Sequence, residues 1–164
     1  MKLSQGVEWA MHCCVLLVQA RPGTAVPRAT LAGYYGLPDA YLAKHLKSLS
    51  AAGVLHATSG PRGGFRLARD PAEITVLDVV EAVEGSAPAF VCTEIRQRGA
   101  CALPPERCDG PCGIARVMDD ADRAWRDSLR AVTVADLSGR LPAGARERGR
   151  AWLGNPSAPL PPFP

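Results

Sequence analysis

The sequence predicts a mostly α-helical protein with a small β-wing, organised as a winged helix-turn-helix domain and a long helix. Three observations support this fold class. Apolar residues recur at helical spacing between residues 40 and 53. Two short extended runs, 54–58 and 65–68, then enclose a turn rich in glycine and proline. A further apolar pattern at helical spacing follows Cys112 and extends over about five turns.

Two helices are expected before residue 40. The first has apolar residues at three- and four-residue steps and ends at Arg21-Pro22-Gly23. The second covers about 27–35 and stops at Gly36, because glycine readily adopts the left-handed conformation that ends a helix. Asp39 is expected to cap the third helix.

The third helix has one apolar face and one basic, hydrogen-bonding face, which is typical of a helix that lies in the major groove of DNA. The arginines of the following hairpin would contact the flanking backbone or minor groove. The predicted DNA-contacting residues are Arg28, Tyr41, Lys44, His45, Lys47, Ser48, Arg62 and Arg66. An ordinary solvated helix face remains the alternative interpretation of this pattern.

The charge distribution favours double-stranded DNA as the partner. Residues 1–70 carry eight Lys and Arg against three Asp and Glu, a net charge of +5, while residues 71–164 carry eleven against thirteen, a net of −2. Phosphate binding with release of counterions requires such a basic surface. Neither a leader peptide nor a membrane span is evident, so a cytoplasmic location without membrane contact is expected.

A long loop over 86–111 interrupts the helical pattern with several prolines and glycines. Eight, six and three residues separate four successive cysteines in and just after it, namely Cys92, Cys101, Cys108 and Cys112. In the cytoplasm such cysteines are more often metal ligands or redox groups than structural disulfides.

Four regions follow from these patterns. Residues 1–85 form the winged helix-turn-helix domain, and 86–111 form the cysteine-rich loop. Residues 112–141 hold a long helix and a short one; the apolar seam of the long helix needs a partner, and a two-fold dimer that binds a palindromic operator is expected. Residues 142–164 contain six prolines and are predicted to be disordered.

Several motifs resemble the Rrf2 family of bacterial transcription regulators over about residues 1–138. They are Y-L-A-K-H-L at 41–46, S-G-P-R-G-G-F-R-L-A-R-D-P at 59–71 and I-T-V-L-D-V-V-E-A-V-E-G at 74–85. Together, E-W-A-M-H-C-C at 8–14 and F-V-C-T-E-I-R-Q-R-G at 90–99 are similar to the RsrR-type redox regulators of that family. The resemblance implies a homodimeric winged helix-turn-helix regulator that carries a [2Fe-2S] cluster.

The resemblance also implies a ligand set. Cys92 and Cys112 of one subunit would bind the cluster together with Glu8 and His12 of the other, whereas Cys101 and Cys108 are weaker candidates. The expected function is therefore a redox-responsive repressor. A metal-free thiol switch with a Cys108–Cys112 disulfide, a regulator of cysteine metabolism, a nitric oxide sensor and a zinc site remain open alternatives. An enzyme is not expected, because the sequence has no nucleophile–base pair or phosphate loop.

Overall fold

The computed structural model describes residues 2–61 and 63–162, which form a helical body with one two-stranded antiparallel sheet. The helices are α1 (Gln5–Leu17), α2 (Arg28–Tyr35), α3 (Asp39–Ala51), α4 (Val76–Glu84), α5 (Gly113–Arg130), α6 (Val134–Gly139) and α7 (Ala143–Gly154), and the strands are β1 (Leu55–Thr58) and β2 (Gly64–Leu67). The predicted fold class is confirmed. In the part of the chain described, no helix is both long and apolar enough to cross a bilayer.

Helix α1 runs through the centre of the core. Its side chains Ala10, Cys13 and Cys14 are fully buried, and the helix packs against α3, α4 and α6. Burial raises the pKa of the Cys13 thiol to about 12 and raises that of Cys14 as well. These two cysteines are therefore neutral, small packing residues of the core.

The helix-turn-helix consists of α2 and α3. Helix α2 ends at Gly36, whose φ of 63° is the left-handed conformation expected from the sequence. The predicted capping role of Asp39 is wrong, because Pro38 occupies the N-cap position of α3 and Asp39 is already helical. The Asp39 carboxylate instead accepts two hydrogen bonds from Arg28, at 2.7 and 2.6 Å, and this fork joins the two helices.

The wing is held against the helix-turn-helix by backbone hydrogen bonds. Strands β1 and β2 pair antiparallel, with Leu55 opposite Leu67 and Thr58 opposite Gly64. The Val26 amide donates to the Phe65 carbonyl at 2.9 Å, and the Phe65 amide donates to the Val26 carbonyl at 2.8 Å. The wing thus pairs on its second side with the segment that leads into α2.

Two capping boxes fix the helices that follow the wing. Thr75 and Asp78 exchange side-chain and backbone hydrogen bonds at the start of α4, and Thr133 and Asp136 do the same at the start of α6. Thr75 and Thr133 lie opposite each other in an isolated β-bridge. The beginnings of α4 and α6 are therefore joined.

The long connection between α4 and α5 contains two 3₁₀ turns, Ile95–Gln97 and Pro105–Arg107.

The predicted disorder of 142–164 is wrong for Ala143–Gly154, which forms α7. The Trp152 indole nitrogen donates to the Thr30 carbonyl at 2.9 Å, and its ring packs edge-on against Tyr34 at 5.9 Å. A Cβ added at Gly33 would lie 3.1 Å from the Trp152 ring, so the missing side chain makes room for this docking. The Trp152 side chain of α7, docked on α2, therefore provides burial that the proline-rich composition did not suggest.

Candidate DNA interface and cysteine site

The basic face predicted for α3 is exposed to solvent. Tyr41 is 68% exposed, Lys44 and Lys47 are exposed, and Ser48 is half-buried. The opposite face holds fully buried leucines that anchor the helix on the core. Burying each leucine side chain stabilises the fold by about 1.5–3 kcal/mol. These buried side chains hold α3 in place while its polar face stays exposed.

His45 does not share that exposed face. Its imidazole packs against α1, where a Cβ at Gly6 would collide with the ring, and it meets Trp9 edge-on at a centroid distance of 6.1 Å. The reason is helical spacing, since residue 45 lies three positions after Leu42 and four before Leu49 on the buried side. The position of His45 favours packing between α1 and α3 over the predicted contact with DNA.

The predicted arginine contacts have different environments. Arg28 is exposed but forms the ion pair with Asp39, at 2.6 Å. Arg66 is half-buried on β2 opposite His56. Arg62 lies outside the described residues.

Cys92 and Cys112, the two predicted cysteine ligands, lie together with their sulfur atoms 3.9 Å apart. Cys112 is the N-cap of α5, and its Sγ accepts a hydrogen bond from the Ala115 amide at 3.3 Å. This amide, followed by Cys92, the Ile114 amide and the charge of Arg96, lowers the pKa of the Cys112 thiol. The surroundings of Cys112 therefore favour its thiolate more than those of a free cysteine do.

Arg96 is a functional candidate that the sequence reasoning missed. Its guanidinium forms a fork with Glu94, at 2.5 and 2.8 Å, and donates to the Gly110 carbonyl at 2.9 Å. It thereby joins the two arms of the cysteine loop and adds a positive charge near Cys112. The sequence did show an arginine four residues after Cys92, a candidate ligand. That spacing alone did not reveal the contact of Arg96 with Gly110.

The other two loop cysteines do not complete a site. Cys101 is exposed and Cys108 is half-buried. Over residues 2–61 and 63–162, no group of three or more His, Cys, Asp or Glu side chains is placed to hold a metal ion. The structure therefore brings together the Cys92–Cys112 pair and no third ligand among these described side chains.

Glu8 and His12, the predicted ligands from the second subunit, lie on the exposed side of α1. They line the edge of an open cleft of about 520 Å³ whose remaining lining is mostly apolar, including Met11, Val80 and Leu129. The His12 ring contacts Tyr35 of α2 at 5.2 Å, and the Tyr35 hydroxyl donates to the His12 carbonyl at 3.1 Å. Within one protomer, Glu8 and His12 are not grouped with the cysteine pair.

The N-terminal half of α5 exposes an apolar surface. Ile114 is 68%, Val117 67% and Met118 38% exposed. Large apolar side chains exposed next to one another on one helix mark a binding surface. This surface begins directly after Cys112, so a partner that covered it would also lie next to the cysteine pair.

The helix-turn-helix, its paired wing and the basic face of α3 define a winged-helix DNA-binding protein. The family model for Rrf2, described as an iron-dependent transcriptional regulator, matches residues 3–140. The chain therefore belongs to the Rrf2 family of transcriptional regulators.

Individual relatives agree with this assignment. A helix-turn-helix-type regulator of Mycobacterium tuberculosis is 32% identical over 143 residues, which cover 85% of this chain and 82% of the relative. The regulator NsrR of Bacillus subtilis is 26% identical over 137 residues, or 84% and 90% of the two chains. Helix α7 lies beyond the residues that match the family model.

Solved structures share the fold. CymR, the global cysteine regulator of B. subtilis, superposes with a TM-score of 0.64 at 20% identity over 87% of this chain and 99% of that one. IscR of T. potens gives a TM-score of 0.62 at 22% identity over 88% and 95%.

Proposed function

We propose that the protein is a homodimeric transcriptional repressor whose operator binding is controlled by a [2Fe-2S] cluster, as in the RsrR-type regulators that its motifs resemble. Cys92 and Cys112 of one protomer and Glu8 and His12 of the other would hold the cluster. The observation that carries this proposal is the 3.9 Å separation of the two sulfur atoms.

The cysteine pair fits two ligands of one metal ion. Metal–thiolate bonds of about 2.3 Å in a tetrahedral arrangement place two sulfur atoms about 3.8 Å apart. The separation of 3.9 Å between Cys92 and Cys112 is close to this value. The lowered pKa of Cys112 favours the thiolate that a metal binds. The pair could thus receive a metal with little rearrangement.

The remaining ligands would come from the partner subunit. The exposed apolar surface of α5 supports a two-fold dimer, in which the same surface is used by both protomers. The apolar cleft beside Glu8 and His12 supplies a second surface that a partner could cover. A dimer that brings the α5 helix of one protomer to the cleft of the other would join the two halves of the site.

The cluster would supply a one-electron redox change, and replacing two thiolates by imidazole and carboxylate raises its potential. The chain's own residues would transmit the change. His12 contacts Tyr35 of α2, so a movement of His12 reaches the helix-turn-helix directly. Cys112 begins α5, so ligation there fixes the helix that joins the protomers. Both effects would alter the spacing of the two α3 helices on DNA.

A metal-free thiol switch is the second candidate, because the same sulfur separation favours it. Two sulfur atoms 3.9 Å apart need to approach by about 1.9 Å to form a disulfide bond. Hydrogen peroxide would accept the two electrons and two protons that the thiols of Cys92 and Cys112 release as the S–S bond forms, and its O–O bond would break to give two water molecules. This pairing differs from the Cys108–Cys112 disulfide considered from sequence.

Spectroscopy of protein purified without oxygen separates the two candidates. Visible absorption bands, about two irons and two sulfides per protomer, and a reversible one-electron EPR signal after dithionite are expected for the cluster. DNA sites selected from a random library should then bind the oxidised and reduced forms with different affinity. Colourless, iron-free protein whose DNA binding responds to peroxide would refute the cluster and support the thiol switch.

Cysteine variants identify the ligands. Cys92→Ala should abolish the absorption bands, because it removes one half of the sulfur pair. Cys101→Ala is the matched control, since its thiol is exposed and outside that pair. Loss of the bands in the control would contradict the proposed ligand set.

A further inference from the structure

Arg126 lies near the C-terminal end of α5 and binds three parts of the protein at once. Its Nε donates to Asp122 at 2.6 Å, one turn earlier on the same helix. One terminal nitrogen pairs with Glu81 near the end of α4. The other donates to the carbonyl oxygens of Ser86 and Ala87, at 3.1 and 3.4 Å. A single guanidinium therefore joins α5, α4 and the first residues of the cysteine loop.

The Arg126–Asp122 pair is well protected from solvent. The two side chains are 18% and 15% exposed, and the guanidinium holds the pKa of Asp122 below its usual range. The Ala89 backbone amide acts in the same direction, so the carboxylate also faces the loop. The Arg123–Asp120 pair on the same helix is 68% and 69% exposed, and such open pairs contribute little.

The strap, residues 85–92, leads from the end of α4 to Cys92. Arg126 holds it near the C-terminal end of α5, and Cys92 meets Cys112 at the N-terminal end of the same helix. From Cys112 to Arg126 the helix rises about 21 Å. From Ala87 to Cys92 the chain spans at most about 18 Å when fully extended. The extended chain is shorter than this rise, so the side chains of Arg126, Cys92 and Cys112 cover the remaining distance and the strap has no slack along α5. The place where the strap is held therefore decides how far Cys92 can reach.

We propose that Arg126 and Asp122 are positioning residues of the cysteine site, which hold the strap so that the Cys92 sulfur lies opposite that of Cys112. The relevance of this arrangement to a cluster rests on the proposed function, but the positioning itself is a property of the metal-free chain. Through Glu81 the same guanidinium also holds α4, which packs against α1 and α3. A shift of α4 along α5 would therefore change the separation of the two sulfur atoms.

Thiol cross-linking of the metal-free, full-length protein tests the proposal. In a Cys101→Ser, Cys108→Ser background, a short bifunctional thiol reagent that fluoresces after both arms react reports how often Cys92 meets Cys112. Arg126→Ala should lower the cross-linking rate at least about ten-fold, because the rate follows the effective concentration of one thiol near the other. Arg126→Lys keeps the charge but loses the fork, so it should recover part of the rate.

Two controls separate positioning from general damage. Arg123→Ala removes the exposed arginine of the same helix and should leave cross-linking unchanged. A monofunctional thiol reagent should still label both cysteines in every variant, and its rate at each thiol corrects the cross-linking rate for changes in thiol reactivity. If Arg126→Ala does not fold, Asp122→Asn replaces it, because this change removes the buried negative charge that pairs with Arg126. The cross-linking rate of Asp122→Asn should then be lowered at least about ten-fold.

Cross-linking in a cooperatively folding Arg126→Ala or Asp122→Asn protein that matches the Arg123→Ala control would overturn the proposal. The proposed function fails by a different result, namely wild-type protein that stays colourless after incubation with iron and sulfide. The two failures are therefore distinguishable, because cross-linking is measured without metal.

Discussion

Substitutions on α3 should separate DNA contact from packing, since Lys44 is exposed and His45 faces α1. Lys44→Ala removes one cation per protomer, and two from the proposed dimer. If each cation contacts a phosphate, the negative slope of log K against log salt concentration should become less steep by about 1.8. At about 0.15 M salt this corresponds to about thirty-fold weaker binding. His45→Ala should leave the slope unchanged and lower the melting temperature, because it removes packing against Gly6 and Trp9.

Fluorescence anisotropy with a labelled duplex, titrated at four or more salt concentrations, measures the slope. Circular dichroism melting of each variant reports stability on the same samples. Lys47→Ala, on the same exposed face, serves as the matched second variant. An unchanged slope in Lys44→Ala together with a reduced slope in His45→Ala would refute the assigned orientation of α3.

Three further results are expected. Trp152→Ala should destabilise the protein by about 2–3 kcal/mol through lost ring packing and the hydrogen bond to Thr30, whereas Trp152→Phe should cost about 1 kcal/mol; thermal melts check both, and a Trp152→Ala protein as stable as wild type would contradict the docking of α7. Alkylation of the native, metal-free protein should modify four thiols and spare Cys13 and Cys14, which should react only after denaturation; mass spectrometry of the labelled peptides would expose an error if either core thiol reacts early. Gly64→Ala should weaken DNA binding with little change in helical content, because a Cβ there collides with the backbone at Val26 and displaces the wing; anisotropy and circular dichroism on one sample would show whether the two effects separate.

The fold was predictable from sequence wherever a local pattern determines the structure. Helical periodicity located α3, and the glycine-rich turn located the hairpin. Long-range contacts were harder to predict. Asp39 is a residue type that commonly caps helices, yet its carboxylate is bound by Arg28, eleven positions away. The proline content of the tail concealed α7, whose order depends on Trp152 reaching Thr30 across 122 positions.

The candidate site was predictable in part. Resemblance selected Cys92 and Cys112 from six cysteines, and the structure places this pair together across an irregular loop. Cysteine spacing could not have chosen them, because twenty positions separate the two. Arg96 and Arg126 escaped notice because their contacts with the loop are made to backbone carbonyls, and such acceptors have no signature in the sequence. Glu8 and His12 stay a prediction, since their proposed partners belong to a second protomer.

The pairing between Val26 and Phe65 limits how operator affinity can be regulated. Because the wing is hydrogen-bonded to the segment entering α2, the wing and the groove-reading helix should move as one rigid unit. The length of a half-site would then be the same in every state of the protein. In a dimer, the adjustable quantity is the distance and angle between two such units. A signal that changes affinity should therefore shift the preferred spacing between half-sites while leaving the preferred bases within each half-site unaltered.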